Sequence, residues 1–220
     1  MFTGIVEEVG QVRRVQRAGQ GYDLTIAAKV VLGGTKLGDS ICVNGTCLTV
    51  THFDHESFTV GLAPETRERT NLVYLRQGTA VNLERSLTPT SRMGGHFVQG
   101  HIDGVGTVAQ FRPDEDALWV TIQVDPDLMR YIVPKGFITL DGVSLTVVDV
   151  YDDSFTVSLI AYTQTEIILP SQKVGYEINV EVDILGKYVE KMLASHLGST
   201  PIETKKQDIS WSFLAENGYN

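Results

Sequence analysis

The chain has 220 residues, 42% of them hydrophobic, and a formal net charge of −9. That composition is ordinary for a soluble globular protein of one or two domains. The acidic balance argues against a nucleic-acid or anionic-membrane partner, which calls for clustered Lys and Arg, and no apolar run approaches the ~18 residues of a spanning helix. The N-terminus, MFTGIVEEVG, carries Glu7 and Glu8 and no basic-then-apolar leader. The two cysteines, Cys42 and Cys47, are expected on opposite faces of an extended chain, with the turn between them not bringing them together. Two isolated thiols fit a reduced compartment, and the cytoplasm is the expected location.

In chain order, residues 2–15 read as a strand broken at Gly10, 22–26 as a second, alternating strand and 27–32 as a short helix. Asn44-Gly45 then lies between runs of alternating polarity. This dipeptide favours positive φ at both centres of a type I′ turn, so a tight hairpin is predicted. After the turn, Cys47 and Thr49 share one face and Leu48 and Val50 the other. Residues 65–72 suit a helical turn, 81–84 a last strand, and 86–95 a linker with a proline and a glycine pair.

The same series then repeats. At an offset of 97, residues 41–66 match 138–163 at 11 of 26 positions, including Gly45/Gly142, Leu48-Thr49-Val50/Leu145-Thr146-Val147 and the SFTV run of each copy. At an offset of 96, residues 98–108 echo the first strand, pairing Gly4 with Gly100 and Gly10 with Gly106. Residues 118–124 give a strand, and 126–131 a helix N-capped by Asp125. Asp141-Gly142 predicts the second hairpin, whose Ser144 and Thr146 face opposite Leu145 and Val147. Such density indicates duplication of one unit rather than a solenoid. The predicted fold class is all-β: two tandem, similar, six-stranded antiparallel Greek-key barrels plus a C-terminal α-helix. The expected boundaries are 1–95, 96–183, a helix over 184–198 and a tail over 199–220. The helix rests on Leu185, Tyr188, Val189, Met192, Leu193 and His196 recurring at three- and four-residue spacing before Gly198. It has no counterpart in the first unit.

The segments MFTGIVE, NGTCLTV, RMGGHFVQGHIDGVG, KGFITLDGVSLTV and NVEVDILGKYVEKML, in this order, resemble riboflavin synthase of the trimeric, two-barrel kind. RMGGHFVQGH and SLIAYTQTEIIL look most like fungal members. The resemblance implies dismutation of two 6,7-dimethyl-8-ribityllumazine molecules by transfer of a four-carbon unit, giving riboflavin and 5-amino-6-ribitylamino-2,4-pyrimidinedione. It implies no metal and no organic cofactor. It further implies a homotrimer held by the C-terminal helix, with the working site between the first barrel of one subunit and the second barrel of a neighbour.

Carried onto this sequence, the resemblance places in the first pocket Gly4, Ile5 and Val6, then Cys47, Leu48 and Thr49, then Gly61, Leu62, Ala63, Pro64, Glu65 and Thr66. It places in the second Gly100, His101 and Ile102, then Lys135, then Ser144, Leu145 and Thr146, then Ser158, Leu159, Ile160, Ala161, Tyr162 and Thr163. Ser40, Cys47, His101, Ser144 and Asp183 occupy positions associated with chemistry. Many members have Pro-His or Pro-Glu where this chain has Ala161-Tyr162.

Two identical molecules in unlike roles require pockets that differ, and the copies differ at Cys47/Ser144 and at Ile5/His101. On this reading the thiol belongs to the first barrel and the imidazole to the second. A thiol of pKa ~8.5 could add to an electron-poor pteridine carbon, although most free cysteines are merely small buried residues. An imidazole titrating near ~6.5 suits exchange of a methyl proton; a backbone-bonded structural histidine is the alternative. His96 ranks below His101 because it precedes the strand. A different class, a non-catalytic lumazine or flavin binder, would keep the barrels without functional pairing of pockets.

Overall fold

The computed structural model describes residues 1–197. The first barrel comprises β1 (Glu8–Ala18), β2 (Gly21–Ala27), β3 (Ser40–Val43), β4 (Thr46–Phe53), β5 (Ser57–Leu62), the short helix α1 (Pro64–Glu68) and β6 (Ala80–Arg85). The second comprises β7 (Gly104–Asp114), β8 (Ala117–Gln123), α2 (Pro126–Met129), β9 (Phe137–Leu140), β10 (Val143–Val150), β11 (Ser154–Leu159), α3 (Ala161–Glu166) and β12 (Glu177–Val182); α4 (Ile184–Leu197) follows. Each barrel closes in the order β1-β2-β5-β4-β3-β6, or its equivalent β7-β8-β11-β10-β9-β12. All pairings are antiparallel.

The duplication extends to packing. β1 and β7 share one alternation of buried and exposed positions along all 11 residues. Register shifts at Val12/Arg14 and Val50/His52 recur at Val108/Gln110 and Val147/Val150. Such bulges bend a strand so that six can close on themselves. The interiors are filled by matching sets, Leu24, Ile26, Phe58 and Val60 in one and Val120, Ile122, Phe155 and Val157 in the other, all fully buried.

The first strand begins later than expected. Gly10 lies inside β1 rather than breaking it, because a Cβ there would meet the Leu83 side chain at 2.5 Å and the Ala27 carbonyl at 2.9 Å. Phe2 stands outside the strand and forms an isolated bridge with Val98. Residues 27–32 form no helix. The Glu8 carboxylate accepts the Lys29 and Val31 amide N–H groups at 2.6 and 2.9 Å, which draws this backbone into a turn. In the second copy Asp125 does accept Asp127 N–H, with proline in the first turn, and α2 forms.

Both hairpins are as predicted, with φ of 44° and 82° at Asn44 and Gly45, and 45° and 81° at Asp141 and Gly142. The two turns meet back to back: a Cβ on either glycine would come within 2.9 Å of the other's backbone nitrogen. Around them lies a buried polar network that joins the barrels. Asn179 Nδ2 donates to Asn44 O and Asn71 Oδ1, and Asn71 N–H donates to Asn179 Oδ1. Asn82 Nδ2 donates to Asp141 O, and Ile168 N–H to Asn82 Oδ1. The Asp141 carboxylate accepts from Asn71 Nδ2, Asn179 N–H and the Tyr176 hydroxyl at 2.8–2.9 Å.

Burial pushes Asp141 up to about 7 despite those donors, and raises the Tyr176 hydroxyl well above its ordinary range. A carboxyl raised in the folded state binds its proton more tightly there than in the unfolded chain. Its contribution to stability is therefore full below the usual carboxylate range of ~3.9 and is lost as pH rises through about 7. The urea midpoint should fall between pH 5.5 and pH 8. Asp141→Asn, which copies Asn44 of the first hairpin, should flatten that slope, and an unchanged slope would show that Asp141 is ionised throughout.

Candidate active site

Alternation along β4 and β10 sends Leu48, Val50, Leu145 and Val147 into the barrels and turns Cys47, Thr49, Ser144 and Thr146 outward. Of the expected pocket residues, the side chains of Leu48, Leu62, Leu145 and Leu159 therefore belong to the cores rather than to an outer surface. The remainder lie at the surface or partly covered: Gly61, Ala63, Pro64 and Glu65 exposed, Thr66 half-buried, then Ser158 and Thr163 half-buried with Ile160, Ala161 and Tyr162 exposed. Ser40 sits opposite Thr49 across the β3–β4 ladder, on the face that carries Cys47.

The cysteines depart from expectation. Cys42 and Cys47 are direct cross-strand partners, because a two-residue turn sets residues two steps either side of it opposite one another. Both are free thiols. Cys42 is packed with Phe2 and Val98, and burial, with the Glu84 and Glu181 charges, raises its pKa well above that of an ordinary thiol. Only Cys47 is partly accessible.

The larger correction concerns which segment covers which hairpin. Ser144 N–H donates to Gly4 O at 2.7 Å, whereas Cys47 N–H donates to Gly100 O at 2.9 Å. The N-terminal segment thus lies against the second barrel's hairpin, and the segment after the linker lies against the first's. Val6 packs on the second barrel's core, and Ile102 reaches the Gly45 turn. Gly4 is thus the neighbour of Ser144 and Gly100 that of Cys47, opposite to the grouping the resemblance implies. The backbone that carries His101 therefore runs beside the first barrel's hairpin rather than the second's. The approach is close enough to demand glycine. A Cβ on Gly4 would meet Ser144 Cβ at 2.5 Å, and one on Gly100 would meet Cys47 Cβ at 2.6 Å.

Two equivalent carboxylates fix these covering segments. Glu84 in β6 accepts Thr3 N–H and the Thr3 hydroxyl at 2.7 Å and Gly4 N–H at 3.0 Å. Glu181 in β12 accepts Gln99 N–H at 2.6 Å, Gly100 N–H at 2.9 Å and His101 N–H at 3.0 Å. Burial raises both, Glu181 to about 7, against the pull of the amides.

Beside Ser144 lies His96, which the sequence placed below His101. His96 is buried, its Nδ1 2.7 Å from Ser144 Oγ and its Nε2 3.1 Å from Thr139 Oγ1, and its ring stacks on Phe137 at 5.1 Å. Burial lowers its pKa, with the Asp183 carboxylate pulling the other way, which favours the neutral ring that shares a hydrogen bond with Ser144 Oγ. Gly95 lies equally close, since a Cβ there would meet Thr3 O at 2.1 Å and Ser144 Oγ at 2.9 Å. The glycine pair before His96 was the available signal, for it announces backbone passing close to another group. Asp183 completes this cluster while accepting Leu185 N–H at the start of α4. Lys135 is exposed at φ 66°, where the first copy has Gly38 at φ 88°.

The Lumazine binding domain family matches this chain twice, over residues 3–86 and 99–183. Riboflavin synthase of Actinobacillus pleuropneumoniae is 46% identical over 219 residues, covering all of both chains. That of Schizosaccharomyces pombe is 48% identical over 199 residues, covering 90% of this chain and 96% of its own. Among solved structures, LumP complexed with 6,7-dimethyl-8-(1'-D-ribityl) lumazine superposes with a TM-score of 0.75 at 26% identity, over 83% of this chain and 99% of that one. LumP complexed with riboflavin does so with a TM-score of 0.77 at 27% identity and the same coverage. Two outward-facing nests on duplicated barrels, read with full-length identity at this level, make the chain a member of the riboflavin synthase family.

Proposed function

We propose that the family's reaction, dismutation of two 6,7-dimethyl-8-ribityllumazine molecules to riboflavin and 5-amino-6-ribitylamino-2,4-pyrimidinedione, runs here between one lumazine seated at Cys47 and another at Ser144. The observation that carries this reading is the pair of equivalent but chemically unlike nests, Cys47 with Gly100 and His101, and Ser144 with Gly4 and His96. Equivalent backbones seat identical molecules, and unlike side chains give them donor and acceptor roles. Cys47 is suited to add to a pteridine carbon and His101 to exchange a methyl proton. His96, with Ser144 and Asp183, serves the second molecule. Lys135, Ser40, Thr49 and Thr146 supply polar contacts to ring and ribityl oxygens, and no metal or organic cofactor enters the scheme.

The reacting pair forms, on this reading, when the first barrel of one copy meets the second barrel of another in a homotrimer. Support comes from α4, whose Leu185, Tyr188, Val189, Met192 and Leu193 are each more than half exposed. His196 and the tail after it fall outside the residues whose side chains are described. A cytoplasmic setting fits the reading; among the described residues no helix is long and apolar enough to cross a membrane.

Incubation with the lumazine should yield one riboflavin per two molecules consumed, and binding without turnover would instead favour a LumP-like carrier. Orientation of two reactants is worth roughly 7–11 kcal/mol, whereas one acid or base adds ~10²–10⁴-fold. Cys47→Ser or His101→Gln should therefore slow turnover by about 10²-fold yet leave a measurable rate, while truncation after Asp183 should abolish it. A monomeric truncate with full activity would overturn the shared site.

A further inference from the structure

We propose that Glu181 and Glu84 are crossed positioning residues: Glu181 of the second barrel shapes the pocket at Cys47 on the first, and Glu84 of the first barrel shapes the pocket at Ser144 on the second. The geometry is duplicated in detail. In each copy one carboxylate oxygen binds the residue before the glycine, through Thr3 N–H or Gln99 N–H, and the other binds the glycine N–H itself. In each copy that same glycine then offers its carbonyl to the opposite barrel, Gly4 to Ser144 and Gly100 to Cys47. The route from carboxylate to pocket is thus one residue long and crosses the barrel boundary.

Other bonds also hold these segments, His96 N–H to Thr3 O and Asp103 N–H to Val180 O among them, but the two glycine amides find the carboxylates. Residues 3–6 and 99–102 belong to neither barrel's strands, and the N–H groups of Thr3, Gly4, Gln99, Gly100 and His101 are met by the carboxylates instead of a ladder. Together with the bridge between Phe2 and Val98 and the Gly4 and Gly100 carbonyl bonds, the carboxylate sets the height of the covering backbone over each nest. The clamps differ in a way that suits unlike pockets. Glu84 spends its third bond on the Thr3 hydroxyl, while Glu181 spends it on His101 N–H and so fixes one more residue of the backbone that covers Cys47. Both carboxylates are almost wholly buried, Glu84 at 5% and Glu181 at 3% exposure, although Glu84 stands in the wall of a cavity with Thr3, Ile5 and Ser40.

The inference depends on the two-pocket reading only for its effect on turnover, and its test needs no lumazine. Glu181→Gln is nearly isosteric, but its amide sets N–H donors against the N–H groups of Gln99, Gly100 or His101. Alkylation of Cys47 by iodoacetamide, mapped by mass spectrometry, should then accelerate about tenfold in Glu181→Gln and stay within about twofold of the parent in Glu84→Gln. A Ser144→Cys reporter should show the reverse pattern. Equal acceleration of both thiols by either variant would reveal general loosening and overturn the crossing, as would a Cys47 that answers to Glu84 instead. Should Glu181→Gln fail to fold, amide exchange in the unsubstituted chain decides. Thr3, Gly4, Gln99, Gly100 and His101 must exchange as slowly as the barrel strands, and fast exchange there overturns the clamp. In turnover, kcat/KM should fall about tenfold or more in both variants with the fold intact. Normal alkylation and exchange patterns in a chain that makes no riboflavin would sink the proposed function and leave the clamps standing.

Discussion

Replacing Gly100 by alanine should destabilise the fold by about 3–5 kcal/mol and abolish turnover. The backbone there has φ +81°, a region where a Cβ is strained by roughly 1–2 kcal/mol. The new methyl would also lie 2.6 Å from Cys47 Cβ, 2.9 Å from Cys47 N and 3.0 Å from the Phe2 ring. Two of those are parts of β4 itself, so relief requires moving the covering segment and breaking the Cys47 N–H bond to Gly100 O. Gly19→Ala is the control for strain alone, because Gly19 has φ +59° with nothing within 4 Å of the added Cβ. It should cost about 1 kcal/mol. Gly61→Ala meets open space at an ordinary φ and should be stability-neutral within about 0.5 kcal/mol. Urea unfolding of the three variants checks the order, and a Gly100→Ala loss no larger than that of Gly19→Ala would mean the close approach is absent in solution.

Asn179→Ala should be the second costly change, at about 3–5 kcal/mol. Asn179 is fully buried, and its side chain makes three bonds, two from Nδ2 to Asn44 O and Asn71 Oδ1 and one accepted from Asn71 N–H. Removal of this second-barrel side chain strands three groups of the first barrel, Asn44 O, Asn71 Oδ1 and Asn71 N–H, without access to water, each costing about 1–3 kcal/mol. Asn82, the equivalent in the first copy, receives Ile168 N–H and donates to Asp141 O. Its truncation strands fewer partners, so Asn82→Ala should cost less. Thermal melts should rank Asn179→Ala below Asn82→Ala, with the larger drop on the order of 10 °C. Two separate unfolding steps in Asn179→Ala would identify the network as what makes the barrels unfold together.

The barrels were legible because their evidence is local and repeated. The Asn44-Gly45 and Asp141-Gly142 turns, the alternation through Leu48 and Leu145, and the match at an offset of 97 each specify a hairpin within a few residues. The apolar spacing that predicts α4 over Ile184–Leu197 is likewise local. The crossing of the covers was not legible. Residues 2–6 and 98–102 are extended and similar, and no alternation says which of two similar hairpins an extended segment will meet. The setting of His96 was hidden for the same reason: its partners Ser144, Thr139 and Phe137 lie more than 40 residues away in sequence. The cysteine pairing failed for a different reason. Strand alternation was applied across the turn, where cross-strand register governs instead.

The crossed covers also fix the sequence in which the two nests become complete as the chain leaves the ribosome. The Cys47 nest is translated first, yet its lid, Gly100 with His101, belongs to the later half and is anchored by Glu181 near the end of β12. The Ser144 nest is translated later, but its lid and the Glu84 that anchors it have already emerged. The earlier-made nest is therefore the last to close, and the Cys47 N–H of a nascent chain cannot meet its Gly100 partner, anchored by Glu181, until nearly all of both barrels has been synthesised.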